Sequence, residues 1–335
     1  MGAMRNRYTR RLMEYLLTVG VIITLNFALP RVMPGDPFLY LSAEEGDEVA
    51  NFSPAQQAYY REQYGLDRPL AVQYATYMGA LLTGDLGYSI YYNQDVTAIL
   101  LRRLPWTLLL VSSAVILSSL AGCLLGSLSA YRRNHFLDRW LYVGLIGISE
   151  IPAFLLGLVL LFTLAAGLQL FPLSGAKTHF ALYATPWEVV ADIARHAALP
   201  VLTLALVRTG GMYLLARSSM IAVLGKDYVR TARAKGLPPV RILTRHTLRN
   251  AMLPIVTRIF LSLGGLVGGA ILVENVFAYP GLGRLMREAV MVHDYPLIQG
   301  IFLLVTLSVL SANFVADLFY RFLDPRIHSQ AQVAP

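Results

Sequence analysis

Six long apolar segments constrain what this chain can fold into more than any other feature. A helix needs about 20 apolar residues to cross a hydrocarbon core about 30 Å thick. The six segments run from Leu12 to Leu29, Trp106 to Ala130, Trp140 to Leu170, Ala197 to Ala216, Ala251 to Phe277 and Leu297 to Phe319. Because only 14% of the residues are charged and the mean hydropathy is +0.54, a soluble fold could not cover its surface. The sequence therefore predicts an all-α integral membrane protein with six transmembrane helices.

The positions of Lys and Arg predict that both termini are cytoplasmic. With that orientation, 17 of the 28 basic residues lie in inner segments and 9 in outer segments, as expected when the cytoplasmic side carries the excess. The basic start of the first segment is also typical of a signal peptide, but no small-residue cleavage site follows Leu29, so we expect the segment to remain. The net charge of +8 therefore reflects membrane orientation, and nucleic-acid binding is not expected.

Two connections are longer than six helices require. The outer region 31–105 is acidic and rich in tyrosine, and the inner loop 217–250 contains eight basic residues and one acidic residue, Asp227. The predicted organisation is a cytoplasmic N-terminus with the first helix, an extracytoplasmic loop region, a core with five helices that includes the inner loop, and a cytoplasmic tail. These parts cover residues 1–30, 31–105, 106–320 and 321–335.

The sequence indicates no catalytic residue and no metal site. It has no GxxxxGK[ST] loop, HExxH, CxxC or GxSxG pattern, and its six histidines are scattered. Its single cysteine, Cys123, lies in an apolar run and is interpreted as a packing residue. Such a membrane protein transports a solute or senses one. The sequence therefore leaves two functions of this kind open. The chain could be an ion-coupled carrier or channel, or it could be a receptor that carries no flux.

The inner loop has the pattern of two short helices separated by a glycine. Residues 228–235 favour a helix, Gly236 is a typical helix end, and Pro238-Pro239 prevents continuation. A second helix is predicted at 240–249, before Leu253-Pro254. From its charge alone, the loop would be a solvated basic segment held by anionic lipid headgroups.

Together with motifs elsewhere, this loop resembles the inner-membrane permease subunits of ATP-binding-cassette (ABC) importers, in the dipeptide, oligopeptide and nickel branch. In the loop the resemblance rests on Ala232, Ala234 and Gly236, followed by Leu253-Pro254. Further motifs follow the family's order along nearly the whole chain, at Pro34–Pro37, Tyr64–Pro69, Gly84–Gly87, Val273–Gly283, Asp294–Pro296 and Leu323–Arg326.

The resemblance implies the type I ABC importer permease fold and a coupling loop that binds a cytoplasmic ATPase. The small residues Ala232 and Gly236 would allow close approach to that partner. The implied coupling residues are Asp227, Tyr228, Arg230, Thr231, Ala232, Arg233, Ala234, Lys235 and Gly236.

The resemblance also implies the partners, cofactors and location. The partners would be a second homologous permease chain, two cytoplasmic ATPases, an extracytoplasmic substrate-binding protein that docks on 31–105, and membrane lipid. This chain would bind no cofactor, because ATP and Mg would be held by the ATPases, and it would lie in a bacterial inner membrane. Peptides are favoured over chelated nickel as substrate, with His179, His196 and His293 as outer-side candidates for metal contact.

Two charges and four glycines inside the predicted helices are candidates for the transport pathway. Glu150 and Arg208 both fall near the membrane midplane, where a lone charge costs at least ~2.5 kcal/mol. We therefore expect them to pair or to flank a polar cavity, and the alternative is a tilted helix that brings one of them to an interface. Neither position is typically charged in the family. The glycines form two overlapping GxxxG pairs, which either pack within this chain or form the seam with the partner permease. They are Gly264, Gly265, Gly268 and Gly269.

Three further charges lie closer to the ends of their predicted helices. They are Arg258, Glu274 and Asp317, and we expect them to reach headgroups or water. The predicted helix 140–170 is long enough to tilt or to end in an interfacial turn.

Overall fold

The computed structural model describes residues 2–32, 58, 61–62, 65–238 and 241–323. Ten helices are found in these ranges: α1 (Gly2–Val32), α2 (Leu70–Thr83), α3 (Val96–Tyr131), α4 (Phe136–Ser149), α5 (Ala153–Leu160), α6 (Pro186–Leu224), α7 (Asp227–Ala234), α8 (Arg249–Val276), α9 (Leu282–Met291) and α10 (Tyr295–Leu323). A π-helical segment, Leu161–Gly167, extends α5, and another, Ile242–Leu248, precedes α8. Two short strands, β1 (Tyr88–Ser89) and β2 (Gln94–Asp95), form an antiparallel hairpin.

Some of the sequence predictions fall outside the described residues. The motif 34–37 and the motif residues 324–326 lie there, as do Tyr64 and most of the predicted tail. The surroundings of the four glycines at 264, 265, 268 and 269, and of Asp317, also lie outside, although α8 and α10 include these positions.

Each of the six predicted transmembrane segments falls on helical structure. Within the described ranges, α3, α6 and the Tyr295–Val315 part of α10 are each long and apolar enough to cross a membrane. The pair Phe136–Ser149 and Ala153–Gly167 passes the same test only when taken together, and Leu17–Val32 is a shorter apolar helix. The predicted segment 251–277 coincides with α8.

The third predicted helix is not continuous, which corrects the sequence prediction. Its two parts, α4 and α5, meet at an angle of 99°. Pro152 has no amide hydrogen and disfavours the helical conformation at Ile151, so the helix ends at Ser149 and restarts at Ala153. Glu150 therefore lies at a helix break and not in the middle of a straight helix.

The chain divides into two compact units. The first contains Met1–Leu104 and Leu285–Leu307, and the second contains Pro105–Arg284 and Ser308–Pro335. In the first unit, Asn26 of α1 donates a hydrogen bond from Nδ2 to the carbonyl oxygen of Gln299 in α10 (2.8 Å). A buried polar contact of this kind fixes the register of two helices in an otherwise apolar packing.

Two glycines allow α3 and α6 to pack closely in the second unit. A Cβ atom added to Gly122 would lie 2.7 Å from Met212 Cβ, and one added to Gly126 would lie 2.6 Å from the carbonyl oxygen of Tyr213. No side chain fits at those distances, so this helix contact requires glycine. Buried aliphatic side chains, among them Leu110, fill the core beside it.

Candidate functional site

Helix α7 in the inner loop is a short amphipathic helix. Val229 and Ala232 are buried (0% and 6% exposed) and pack with Ile242 and Leu237. Residues three apart lie on one face of a helix, so these two form the inward face of α7. Ala232 is therefore in contact with the chain's own residues, whereas the sequence had suggested that its small size allows close approach to a partner.

The other residues of the predicted coupling set are exposed. They are Asp227, Tyr228, Arg230, Thr231, Arg233, Ala234, Lys235 and Gly236. Gly236 follows the end of α7 with φ +72°, the left-handed conformation that favours glycine, and its amide donates to the carbonyl oxygen of Arg233 (2.9 Å). Since no atom lies within 4 Å of an added Cβ at Gly236, its backbone conformation, not internal packing, requires glycine there.

The inward face of α7 gives a prediction with a matched control on the same helix. We expect Ala232→Leu to destabilise the inner loop by about 1–3 kcal/mol, because extra methylenes do not fit a packed site. Ala234→Leu adds the same atoms at an exposed position and should change stability by less than ~0.5 kcal/mol. Thermal unfolding of the detergent-solubilised chain measures both. Equal melting temperatures for the two variants would contradict the assigned inward face.

A buried polar cluster joins α3, α4 and α6 close to the inner loop. Arg217 donates from Nε and Nη2 to the two carboxylate oxygens of Asp138 (2.8 and 2.9 Å). Ser129 also donates to Asp138, and the Tyr213 hydroxyl lies 2.7 Å from the Ser129 oxygen. Two parallel hydrogen bonds between guanidinium and carboxylate fix the mutual orientation of the two groups. The sequence analysis did not identify this cluster; the signal was one acidic residue, Asp138, in a basic inner segment.

We expect Asp138→Asn to lower stability by about 3 kcal/mol, because it leaves the charge of Arg217 without its counterion. Asp138 is nearly buried, with 6% of its side chain exposed, and Arg217 is 23% exposed. The matched control is Asp227→Asn, whose ion pair with Arg230 is long (3.7 Å) and exposed and should contribute little. Melting temperatures in detergent test this, and a control variant that loses as much as Asp138→Asn would overturn it.

Glu150 and Arg208 line one cavity of about 310 Å³ in the second unit. Among the described residues they form no ion pair or hydrogen bond with each other. The second of the two predicted arrangements, a polar cavity flanked by the charges, fits this geometry better than a direct pair. Arg258 lines the same cavity and is exposed, and its predicted reach to headgroups or water stays a prediction. Three polar side chains, Ser118, Ser149 and Ser262, complete the hydrophilic part of the wall.

Glu274 is fully buried, contrary to the prediction that it reaches water. Its carboxylate accepts hydrogen bonds from the Thr107 hydroxyl (2.7 Å) and from the amides of Gly283 (2.6 Å) and Arg284 (3.3 Å). Thr107 in turn accepts from the amide of Leu282 (2.8 Å). The first amides of a helix have no partner within that helix, so Glu274 and Thr107 together cap the N-terminus of α9.

The same cap explains two glycines in the motif 273–283. A Cβ atom at Gly281 would overlap the Glu274 carboxylate, and one at Gly283 would overlap Ile271. The carboxylate can therefore reach the helix amides only because these positions have no side chain. This gives the motif a structural role at the end of α8.

In the first unit, Asp294 joins the hairpin to α10. Its carboxylate accepts hydrogen bonds from the Ser89 hydroxyl (2.5 Å) and from the amides of Tyr91 (3.0 Å) and Leu297 (3.2 Å), so it caps α10 and binds the hairpin at once. Nearby, the Tyr92 hydroxyl donates to Glu288 (2.7 Å). Burial raises the pKa of Tyr92, and the hydrogen bond to the Glu288 carboxylate raises this pKa further, so Tyr92 remains a neutral donor.

The three histidines proposed for metal contact are in different environments. His196 is buried and lies 3.4 Å from a carboxylate oxygen of Asp192; His179 is exposed and His293 is buried. In the part of the chain that the structure describes, no three His, Cys, Asp or Glu side chains are grouped as a metal site would require.

Comparisons with known proteins place these features in a wider context. A family model described as "Binding-protein-dependent transport system inner membrane component" matches residues 122–329. A second model, described as the N-terminal part of such a membrane component, matches residues 4–111. The two matches together cover residues 4–329 apart from the segment 112–121.

Individual relatives match over almost their entire length. A protein of Brucella suis biovar 1 (strain 1330), provisionally named a peptide permease, is 40% identical over 317 residues, with 93% of this chain and 96% of that protein covered. The dipeptide transport system permease protein DppB of Escherichia coli K12 is 36% identical over 335 residues, with 95% and 97% covered. An inward-facing structure of the MetNI methionine ABC transporter matches with a TM-score of 0.53 at 18% identity, covering 68% of this chain and 97% of that chain, so the fold is shared.

Proposed function

The chain belongs to the family of binding-protein-dependent transport system inner membrane components, and from this premise we propose that it translocates peptides as one half of a permease pair. It is a permease subunit of an ABC importer with the type I fold and lies in the inner membrane. The relatives named as peptide and dipeptide permeases support the choice of peptides over chelated nickel.

The driving reaction takes place on other chains. Two cytoplasmic ATPases bind ATP with Mg and hydrolyse it, and a second homologous permease completes the pathway. An extracytoplasmic binding protein delivers the peptide to the region 31–105. Both termini are cytoplasmic in this arrangement, because it places the basic inner loop on the side of the ATPases.

The observation that carries the proposal is the division of α7 into two faces. Val229 and Ala232 anchor the helix to its own chain, while Arg230 and Arg233 on the helix and Lys235 directly after it are exposed to solvent. A helix whose buried side is packed against its own chain, and whose other side is exposed, can be displaced by a bound partner without unfolding. The basic face suits a docking groove on the ATPase that offers acidic or backbone oxygen groups.

The linkage from α7 to the membrane is short. Only Gly225 and Lys226 separate α6 from α7, and the Lys226 carbonyl oxygen accepts from the amide of Val229 (3.0 Å). A displacement of α7 therefore reaches α6, whose Arg217 holds Asp138 of α4. In the alternating-access cycle, ATP-driven closure of the ATPases would move both coupling helices together and open the outer side, and hydrolysis would reset it.

Uptake measurements test this function. The chain is expressed with its co-encoded permease, ATPases and binding protein in cells that lack their own importers. Labelled dipeptide, oligopeptide and nickel are then offered with active or hydrolysis-deficient ATPases. We expect accumulation of a peptide only with active ATPase. Accumulation that is the same with the deficient ATPase would indicate an ion-coupled carrier or channel instead, and accumulation of nickel alone would overturn the peptide assignment.

A further inference from the structure

Two arginines line the same cavity in the second unit without a partner in it. Arg208 of α6 and Arg258 of α8 both contribute to its wall. Neither guanidinium forms a hydrogen bond or ion pair with any described residue, and Arg258 is exposed. Arg208 is half-buried. Charges inside a membrane protein are costly and mark a ligand pathway unless they are paired.

An anion would remove this cost. The planar guanidinium group binds carboxylates through two parallel hydrogen bonds, and two such groups around one cavity can share a single carboxylate. Ser118 and Ser262 add polar atoms to the same wall, although their hydroxyls donate to the carbonyl oxygens of Val115 and Arg258. The arrangement thus favours a ligand with at least one carboxylate.

A second part of the wall favours a cation. Glu150 lies at the break between α4 and α5 and lines the cavity together with Ser149, the last residue of α4. The C-terminal end of a helix carries a partial negative charge, and broken membrane helices use such ends to bind cations. Gly210 of α6 keeps this end close, since a Cβ there would overlap the Ser149 hydroxyl.

We propose that this cavity is a peptide-binding subsite, in which Arg208 and Arg258 bind the α-carboxylate of a peptide and Glu150 binds its α-ammonium group. The inference rests on the proposed peptide function and deepens it. A volume of about 310 Å³ is at the small end of ligand sites, which favours a dipeptide over longer peptides.

Direct binding tests the subsite apart from the selectivity of the binding protein. The complete membrane complex of permease pair and ATPases, without binding protein, is reconstituted in phosphatidylglycerol vesicles, so that no zwitterionic lipid headgroup can supply both charges. Labelled dialanine is the ligand, and its C-terminal amide and its N-acetyl derivative are the competitors. ATP-dependent uptake of dialanine, with binding protein added, is measured on the same preparations.

We expect saturable dialanine binding by the wild-type complex, and at least about tenfold weaker binding after Arg208→Gln or Arg258→Gln. Both variants should lose the preference for dialanine over its amide, and Glu150→Gln should lose the preference over the N-acetyl derivative. Arg208→Lys keeps the charge but not the paired hydrogen bonds, so it should assemble normally and bind with intermediate strength. Arg195→Gln is the matched control, because Arg195 is exposed on the same helix and outside the cavity.

The outcomes separate the two proposals. If the wild-type complex transports dialanine but shows no saturable binding, or if the cavity variants keep the wild-type preferences, the subsite is wrong while the transport function stands. If the wild-type complex transports no peptide, both are wrong.

Discussion

Replacing Arg230 and Arg233 together by glutamate is expected to reduce ATP-driven uptake at least tenfold while the chain stays folded. Both side chains are exposed on α7, and the one ion pair of Arg230 with a described residue, Asp227, is long and exposed. The substitutions therefore remove little from the fold. The two substitutions change the charge of this surface by four units. If the ATPase groove offers acidic groups, the new glutamates place like charges in contact, which costs several kcal/mol of binding free energy.

Co-purification and uptake measure this effect together. The double variant should retain its membrane level and melting temperature, lose the ATPases on affinity purification, and show uptake near background. The matched control is the double variant Arg132→Glu and Arg133→Glu. These exposed arginines lie in the inner connection between α3 and α4, where no coupling helix is assigned. Wild-type uptake by the α7 double variant would exclude this face as the coupling surface.

Replacing Glu274 by alanine should have the largest effect on stability, about 3 kcal/mol or more. The change leaves the hydroxyl of Thr107 and the amides of Gly283 and Arg284 without their acceptor, and each buried donor left unpaired costs about 1–3 kcal/mol. We expect a lower membrane level and a melting temperature reduced by several degrees. Glu274→Gln keeps the shape and one acceptor oxygen, so it should fall between wild type and alanine.

An exposed carboxylate in the first turn of a helix gives the control for this prediction. Glu188 accepts from the amide of Ala184 (2.9 Å) and the hydroxyl of Thr185 (3.2 Å) at the start of α6. Because water replaces these contacts, Glu188→Ala should cost only about 1 kcal/mol. If the two alanine variants lose the same stability, burial of the Glu274 network is not its main contribution.

The helices could be predicted from sequence because the membrane sets their length and polarity. Each of the six apolar segments falls on helical structure, and the short helix 228–235 is observed as Asp227–Ala234 with Gly236 after it. The break at 150–152 was not predicted, although Pro152 was a local signal for it. In an apolar segment of such length, the hydropathy of the neighbouring residues outweighs a single proline.

The polar networks could not be predicted, because their members are remote in sequence. Glu274 was expected to reach water from its place near a helix end, and only the fold brings Thr107 and the amide of Gly283 to it. Asp138 and Arg217 are 79 residues apart. By contrast, the shared environment of Glu150 and Arg208 followed from counting depth along two antiparallel segments, since helix rise is constant.

Three of the polar contacts described above carry a consequence for how the subunit is made. Asn26, Ser89 and Thr107 each bond to a residue 273, 205 and 167 positions later, respectively. Synthesis runs from the N-terminus, so these three contacts form only after α8 and the start of α10 have left the ribosome. A polypeptide that stops before these partners lacks the contacts, and polar groups that lose a partner are penalised in an apolar environment. Proteases that survey the membrane thus have a physical difference by which to separate complete subunits from incomplete ones.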